Sequence, residues 1–311
     1  MALYTGSAGL VDWQSALQYL TTPQELRHPQ KQSIRIQGTH AMNSPTYTLF
    51  EVKDKVAYIT INRPEVRNCL GPIVSWELSQ HYDEIERNDD IWVTVITGMG
   101  DKAFCAGFDL KFHQVLEAMN DEERADVERK QAETKSLTSR WYYPKPVIAR
   151  VNGFALGGGL ELAMACDIIV AAEHAELGLP EPKRGLVAAG VGVHRLPRHV
   201  GLKQAMGYML TGRHMSAQRA YEIGLVTEVV PYEKLDETVD GYVRDILACA
   251  PLSIRATKEM IMRGLDFPLH EANEREYMWD QRRQTSPDVL EGQRAFAEKR
   301  LPNWTGEYTE E

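Results

Sequence analysis

The chain has 311 residues, 43% hydrophobic and 25% charged, a balance that allows a sizeable buried core and sets it apart from disordered or fibrous sequences. Its formal charge of −9, from 35 basic and 44 acidic residues, argues against a nucleic-acid surface, which presents a basic footprint, but leaves room for a local cationic patch. No run approaches the roughly 20 apolar residues of a membrane helix, and Cys69, Cys105, Cys166 and Cys249 are too dispersed for a zinc site or a disulfide framework.

Residues 1–46 read as an N-terminal extension. They are rich in Gln, Thr, Ser and His, and Pro23, Pro29 and Pro45 interrupt them. One short amphipathic helix is expected after Asp12, with Leu10, Trp13, Leu17 and Leu20 near helical spacing. The extension would pack on the core or on a neighbouring subunit; disorder is the competing reading. The first ten residues lack a basic region followed by an apolar stretch, so no secretory signal is read and a cytoplasmic location is expected.

Residues 47–62 read as two strands about a turn at 53–55, and Arg63-Pro64 ends the second. Residues 72–87 follow as a helix with Ile73, Val74, Leu78 and Ile85 on its apolar side. A compact buried strand at 92–97 is closed by Gly98 and Gly100. Residues 115–140 are charged and helical in pattern, until Pro144 and Pro146 break them. Strands at 147–151 and 167–171 bracket a glycine turn and a helical run at 160–166. Strands alternating with helices over 47–200 imply crossover connections and a largely parallel sheet with helices outside, an α/β core. From 201 to 311 the pattern is helical: 202–210, 216–223, 236–248, 251–264, 269–285 and 287–300. That region would cover the core or join subunits.

In the 151–166 segment a buried strand runs into Gly157-Gly158-Gly159 and then a helix. Glycines let the backbone approach a ligand closely, and amides at a helix N-terminus are unpaired and lie at the positive end of the dipole. Such a turn suits an anion or a developing oxyanion, or simply joins strand to helix. It is neither a Walker loop nor GxGxxG. A second loop, Ala106-Gly107-Phe108-Asp109, follows the strand at 92–97 and leads into a helix that Asp109 could cap.

Taken together, Lys102-Ala-Phe-Cys-Ala-Gly-Phe-Asp-Leu and the stretch from Lys145 through Gly157-Gly-Gly-Leu-Glu161 to Asp167 resemble the crotonase (enoyl-CoA hydratase/isomerase) superfamily. Asn62-Arg-Pro-Glu-Val-Arg-Asn68, Leu179-Pro-Glu-Pro-Lys-Arg-Gly185, Leu210-Thr-Gly-Arg213, Gly224-Leu-Val226 and Phe296-Ala-Glu-Lys-Arg300 extend the resemblance, in order, over roughly residues 47–304.

The resemblance implies a ββα spiral core with a C-terminal helical trimerisation region. It implies an acyl-CoA substrate, an enolate intermediate and an oxyanion hole made by the amides of Phe108 and Gly158. It places Glu161 and Glu181 as the acid–base pair, whose joint presence points to hydration or its reverse rather than isomerisation, C–C hydrolysis or lysis. Two neighbouring carboxyls can move both protons if one is ionised and one protonated. It assigns coenzyme A contacts to Val66, Arg67, Asn68, Ala103, Phe104, Cys105, Ala106 and Gly157, and to Lys299 reaching from a neighbouring subunit of a homotrimer or hexamer. Coenzyme A enters as part of the substrate, so no separate cofactor is expected, and no metal, since His113, His194 and His199 lack ligand spacing. A non-catalytic or RNA-binding role on this scaffold is disfavoured by the acidic balance. Phe108, where a small residue is common, and Gly185-Leu-Val-Ala-Ala-Gly-Val-Gly-Val-His194 depart from the straight-chain hydratase pattern. A branched, cyclic or aromatic acyl group fits that departure. Trp141, Tyr142 and Tyr143 are candidates for the acyl end.

Overall fold

The protein is described by a computed structural model covering residues 46–309; the helix expected near residues 10–20 lies outside the described residues. The first turn is made by β1 (Thr48–Lys53), β2 (Val56–Ile61) and α1 (Pro72–Arg87). β1 and β2 pair antiparallel about Asp54 and Lys55, whose positive φ values make the tight connection. Proline at the first position of α1 needs no N–H partner there.

The next turns repeat one scheme: a long buried strand, a three-residue strand, then helix. β3 (Val93–Gly98) and β4 (Ala103–Cys105) lead to α2 (Phe112–Ala118) and α3 (Asp121–Glu133). α3 starts at a capping box between Asn120 and Glu123. β5 (Val147–Val151) and β6 (Phe154–Leu156) lead to α4 (Gly158–Ala165), and β7 (Ile168–Ala172) and β8 (Glu176–Gly178) lead to α5 (Gly192–His199). The remaining elements are α6 (Leu202–Thr211), β9 (His214–Ser216), α7 (Ala217–Glu222), β10 (Glu228–Val230), α8 (Leu235–Leu247), α9 (Pro251–Gly264), α10 (Leu269–Glu274), α11 (Met278–Gln284) and α12 (Asp288–Glu298).

Two sheets result. The larger runs β1-β2-β3-β5-β7-β10, parallel except for the β1–β2 pair. The smaller runs β4-β6-β8-β9, with β4, β6 and β8 parallel and β9 antiparallel. Because the strands from β3 to β8 alternate between the sheets, the chain winds as a ββα spiral. Burial follows: β3, β5 and β7 are almost wholly buried, as central parallel strands must be.

Two asparagines lock the spiral between the sheets. The buried Asn68 amide donates to the carbonyls of Met99 and Ala103, and its oxygen accepts from the Arg63 N–H. Asn152 donates to the carbonyls of Gly98, Gly100 and Ala103. The helix expected over 269–285 is two helices. Arg275 is extended and Tyr277 is buried, its hydroxyl donating to the Ala272 carbonyl.

Candidate active site

Three loops leave the same end of the small sheet, since β4, β6 and β8 are adjacent and parallel. Residues 106–108 follow β4, Gly157 and Gly158 follow β6, and Pro180 and Glu181 follow β8. Ligand sites in α/β sheets form beyond the carboxyl ends of such strands. Here the loops enclose a cavity of about 460 Å³ whose lining includes Ala106, Phe108, Gly157, Gly158, Glu161 and Glu181.

The two amides are aimed by their own peptide planes. The Gly107 carbonyl accepts from the Leu70 N–H at 2.8 Å; a trans peptide then points the Phe108 N–H the opposite way. The Leu70–Phe108 bridge is completed by the Asp109 N–H on the Leu70 carbonyl, leaving the Phe108 N–H out of the ladder. Likewise the Gly157 carbonyl accepts from the Glu161 N–H at 3.0 Å. The Gly158 N–H, first in α4, therefore points out of the helix end, unpaired within it. The two sites are neighbours: a Cβ built on Gly158 would stand 3.8 Å from the Phe108 nitrogen.

Glycine is required at Gly107 and Gly157. Both have positive φ, and a Cβ on Gly107 would come within 2.9 Å of the Leu156 carbonyl oxygen. The Gly157 N–H also bonds the Gly178 carbonyl at 2.9 Å, tying the β6 loop to β8.

Glu161 projects from the first turn of α4 and is 5% exposed. Its Oε1 accepts the Gly192 N–H at 2.8 Å. Burial holds its carboxyl above the usual range; the Gly192 and Gly190 amides oppose this and the Glu181 carboxylate adds to it. Glu181 opens a short 3-10 turn after Pro180. Burial raises its affinity for a proton too, with Arg184 pulling the other way. Its Oε2 is buried without a hydrogen-bond partner among the described residues. Repulsion between the two carboxylates is mutual, so it separates the two deprotonations of the pair.

The enoyl-CoA hydratase/isomerase family matches residues 51–307, almost the whole described chain. The chain belongs to this family. An (E)-benzylidenesuccinyl-CoA hydratase of Thauera aromatica is 38% identical over 258 residues, 82% of this chain and 98% of that one. A carnitinyl-CoA dehydratase of Salmonella typhi is 37% identical over 254 residues, covering 80% and 94%. Among solved structures, an enoyl-CoA hydratase from Bacillus anthracis superposes with a TM-score of 0.76 at 36% identity, covering 84% of this chain and 100% of that one. One from Mycobacterium tuberculosis gives 0.75 at 37%, covering 84% and 99%. The ββα spiral is thus the crotonase fold.

As a member of the enoyl-CoA hydratase/isomerase family, the chain brings Phe108, Gly158, Glu161, Glu181, Ala106 and Gly157 to one cavity. Val66, Arg67, Asn68, Ala103, Phe104, Cys105 and Lys299 do not line it. Ala103, Phe104 and Cys105 form β4 and are fully buried, so their side chains support the loop from beneath. The Asn68 side chain is committed to Arg63, Met99 and Ala103. Arg67 is exposed over the Phe154 ring, and its carbonyl takes the Ala106 N–H. Lys299 caps α12 in a left-handed conformation. Trp141, Tyr142 and Tyr143 line a different cavity of about 330 Å³ with Arg195, Lys258 and Arg263.

Sequence reading missed the bed under Glu161. Gly190 and Gly192 sit against its carboxylate so closely that a Cβ at either would come within 2.8 Å of it. The signal available was two glycines two apart before a helix. Leu70, Ser136, Thr138, Arg184 and His214 also line the cavity without having been singled out.

The raised Glu161 affinity has a stability consequence with a definite sign. The folded state binds its proton more tightly than the unfolded chain. Its contribution is therefore fully present below the ordinary value of 4.5 and is lost as pH rises through the folded pKa. Glu161→Gln removes that loss. Calorimetry at pH 7 should show the variant melting above wild type, the gap closing as pH falls toward 4.5 and changing no further below it. A variant that melts lower at pH 7 would contradict this.

Proposed function

We propose that the protein is an enoyl-CoA hydratase, equally a 3-hydroxyacyl-CoA dehydratase in reverse. The observation that carries this is the convergence of two unpaired main-chain N–H groups, the buried Glu161 carboxyl and the half-buried Glu181 carboxyl on one cavity. The thioester carbonyl of an acyl-CoA lies with its oxygen on the Phe108 and Gly158 amides. Hydration needs water oxygen to bond to the β-carbon while its proton passes to an ionised carboxylate. The double-bond electrons move toward the thioester oxygen, giving an enolate that the two amides stabilise. The α-carbon then takes a proton from the protonated member of the Glu161/Glu181 pair. The pair thus exchanges one proton, and no other co-reactant is consumed. The unpartnered Glu181 Oε2 supports a role in holding the water.

In this reading the pantetheine runs along the backbone of Val66, Arg67 and Asn68 and of Ala103–Cys105 and Ala106. Lys299 serves the nucleotide of a neighbouring subunit in a homotrimer or hexamer. Leu265, Leu269, Phe296 and Leu301 in the C-terminal region, each largely exposed in one chain, support such burial between subunits. A cytoplasmic location belongs to this reading; no helix among the described residues is long and apolar enough to cross a membrane.

The test is product mass from a panel of straight, branched and aromatic 2-enoyl-CoAs. Gain of one water with the carbon skeleton intact is expected for at least one ester. A shifted double bond without added water would instead make the protein an isomerase, and a cleaved skeleton a C–C hydrolase or lyase.

A further inference from the structure

We propose that Arg63 and Asp109 form a positioning pair that holds the Phe108 amide in line for the thioester oxygen; this rests on the hydratase reading above. The Phe108 N–H is fixed only as well as the short bridge that carries it. Its side chain offers no anchorage, being 51% exposed at the cavity mouth. The bridge consists of two hydrogen bonds, Leu70 N–H to Gly107 O and Asp109 N–H to Leu70 O.

Arg63 grips both strands of that bridge at once. One nitrogen, Nη1, donates to the carbonyl of Cys69, the residue before Leu70, at 2.8 Å. The other, Nη2, donates to Oδ2 of Asp109, the residue after Phe108, at 3.3 Å. Asp109 Oδ1 accepts the Lys111 N–H at 3.1 Å, so the carboxylate is held from both sides. The guanidinium is itself fixed: it lies over the Tyr47 ring, and the Arg63 backbone exchanges hydrogen bonds with Asn68 through the Asn68 N–H and side chain. Both side chains of the ion pair are only 16% exposed, which limits screening by water and salt. The planar fork serves the carbonyl and the carboxylate with two separate nitrogens in a fixed geometry, whereas an ammonium would have to hold both from a single point charge.

Displacement of a catalytic group by about 1 Å can cost on the order of 10²-fold in rate. The Arg63→Met variant should therefore lower kcat about 10- to 100-fold. KM should stay within about threefold, since the interaction lost is far stronger in the transition state than in the bound ester. Arg63→Lys should fall between Arg63→Met and wild type. A CoA ester carrying ¹³C at the thioester carbonyl supplies the second readout. Its infrared C=O band should drop in frequency on binding wild type and return toward the aqueous position in Arg63→Met. If that variant does not fold by circular dichroism, the isosteric Asp109→Asn carries the test, with the band shift in the same direction. Unchanged kcat and band in a folded variant would overturn the proposal. So would a raised KM with intact kcat, which would make Arg63 a contact for the coenzyme A phosphates. A wild-type protein that binds the ester with no lowering of the band would instead overturn the hydratase reading, and this pair's role with it.

Discussion

Glu161→Gln and Glu181→Gln should each lower kcat by about 10²- to 10⁴-fold, the usual contribution of a positioned acid or base, while affinity for a CoA ester changes less than about threefold. Glutamine keeps the volume of each side chain, and at position 161 its oxygen can still accept the Gly192 N–H that meets Oε1 at 2.8 Å. What it loses is the proton. The mechanism needs one carboxyl ionised and one protonated at the same time; burial raises the proton affinity of both, and the Glu181 carboxylate adds to it at Glu161. Either substitution leaves a pair that can do only half the exchange. The double variant should then fall little below the single ones, because groups that act as a unit are not additive. Steady-state kinetics and calorimetric binding check both parts. Full turnover in either single variant would end the two-carboxylate account.

A comparable loss is expected from a residue with no side chain. Gly158→Pro deletes the N–H that points from the N-terminus of α4. Proline suits the first helical position, where its fixed φ is already helical and the missing donor breaks no helix bond. Gly157 before it has no Cβ to meet the new ring. A Cβ at 158 would make ordinary contacts, 3.6 Å from Leu70 Cδ1 and 3.8 Å from the Phe108 nitrogen. The helix should therefore survive while one oxyanion donor is gone and the ring Cδ occupies the place its hydrogen pointed to, at a cost of at least about 10²–10³ in kcat. Circular dichroism establishes that the variant is folded, and kcat for hydration gives the result. A folded variant with wild-type kcat would remove Gly158 from the mechanism.

What could be read in advance follows from how local each signal is. The strands on either side of residues 53–55 announce themselves through Val, Ile and Thr in alternation. The helix Pro72–Arg87 begins at a proline and carries its apolar side at helical spacing. The small sheet left no such trace. Its strands, Ala103–Cys105, Phe154–Leu156, Glu176–Gly178 and His214–Ser216, have three residues each, too few for a period of two to show. They exist through pairing across the chain, and that sheet positions the site. The same reasoning separates the two amides. Gly158 was legible because a glycine run at the start of a helix is itself an anion-binding geometry. Phe108 owes its orientation to Leu70, 38 residues earlier, and only the family resemblance pointed to it. The Gly190–Gly192 bed of Glu161 was read as a departure from a pattern. Its reason is steric and lies in a carboxylate arriving from another helix.

The account depends most on where a substrate carbonyl goes. A crystal structure with a non-reacting acyl-CoA analogue bound should place the thioester oxygen about 3 Å from both the Phe108 and the Gly158 nitrogens, with the α- and β-carbons facing Glu161 and Glu181. An ester bound in this cavity with its carbonyl turned away from both amides would contradict it.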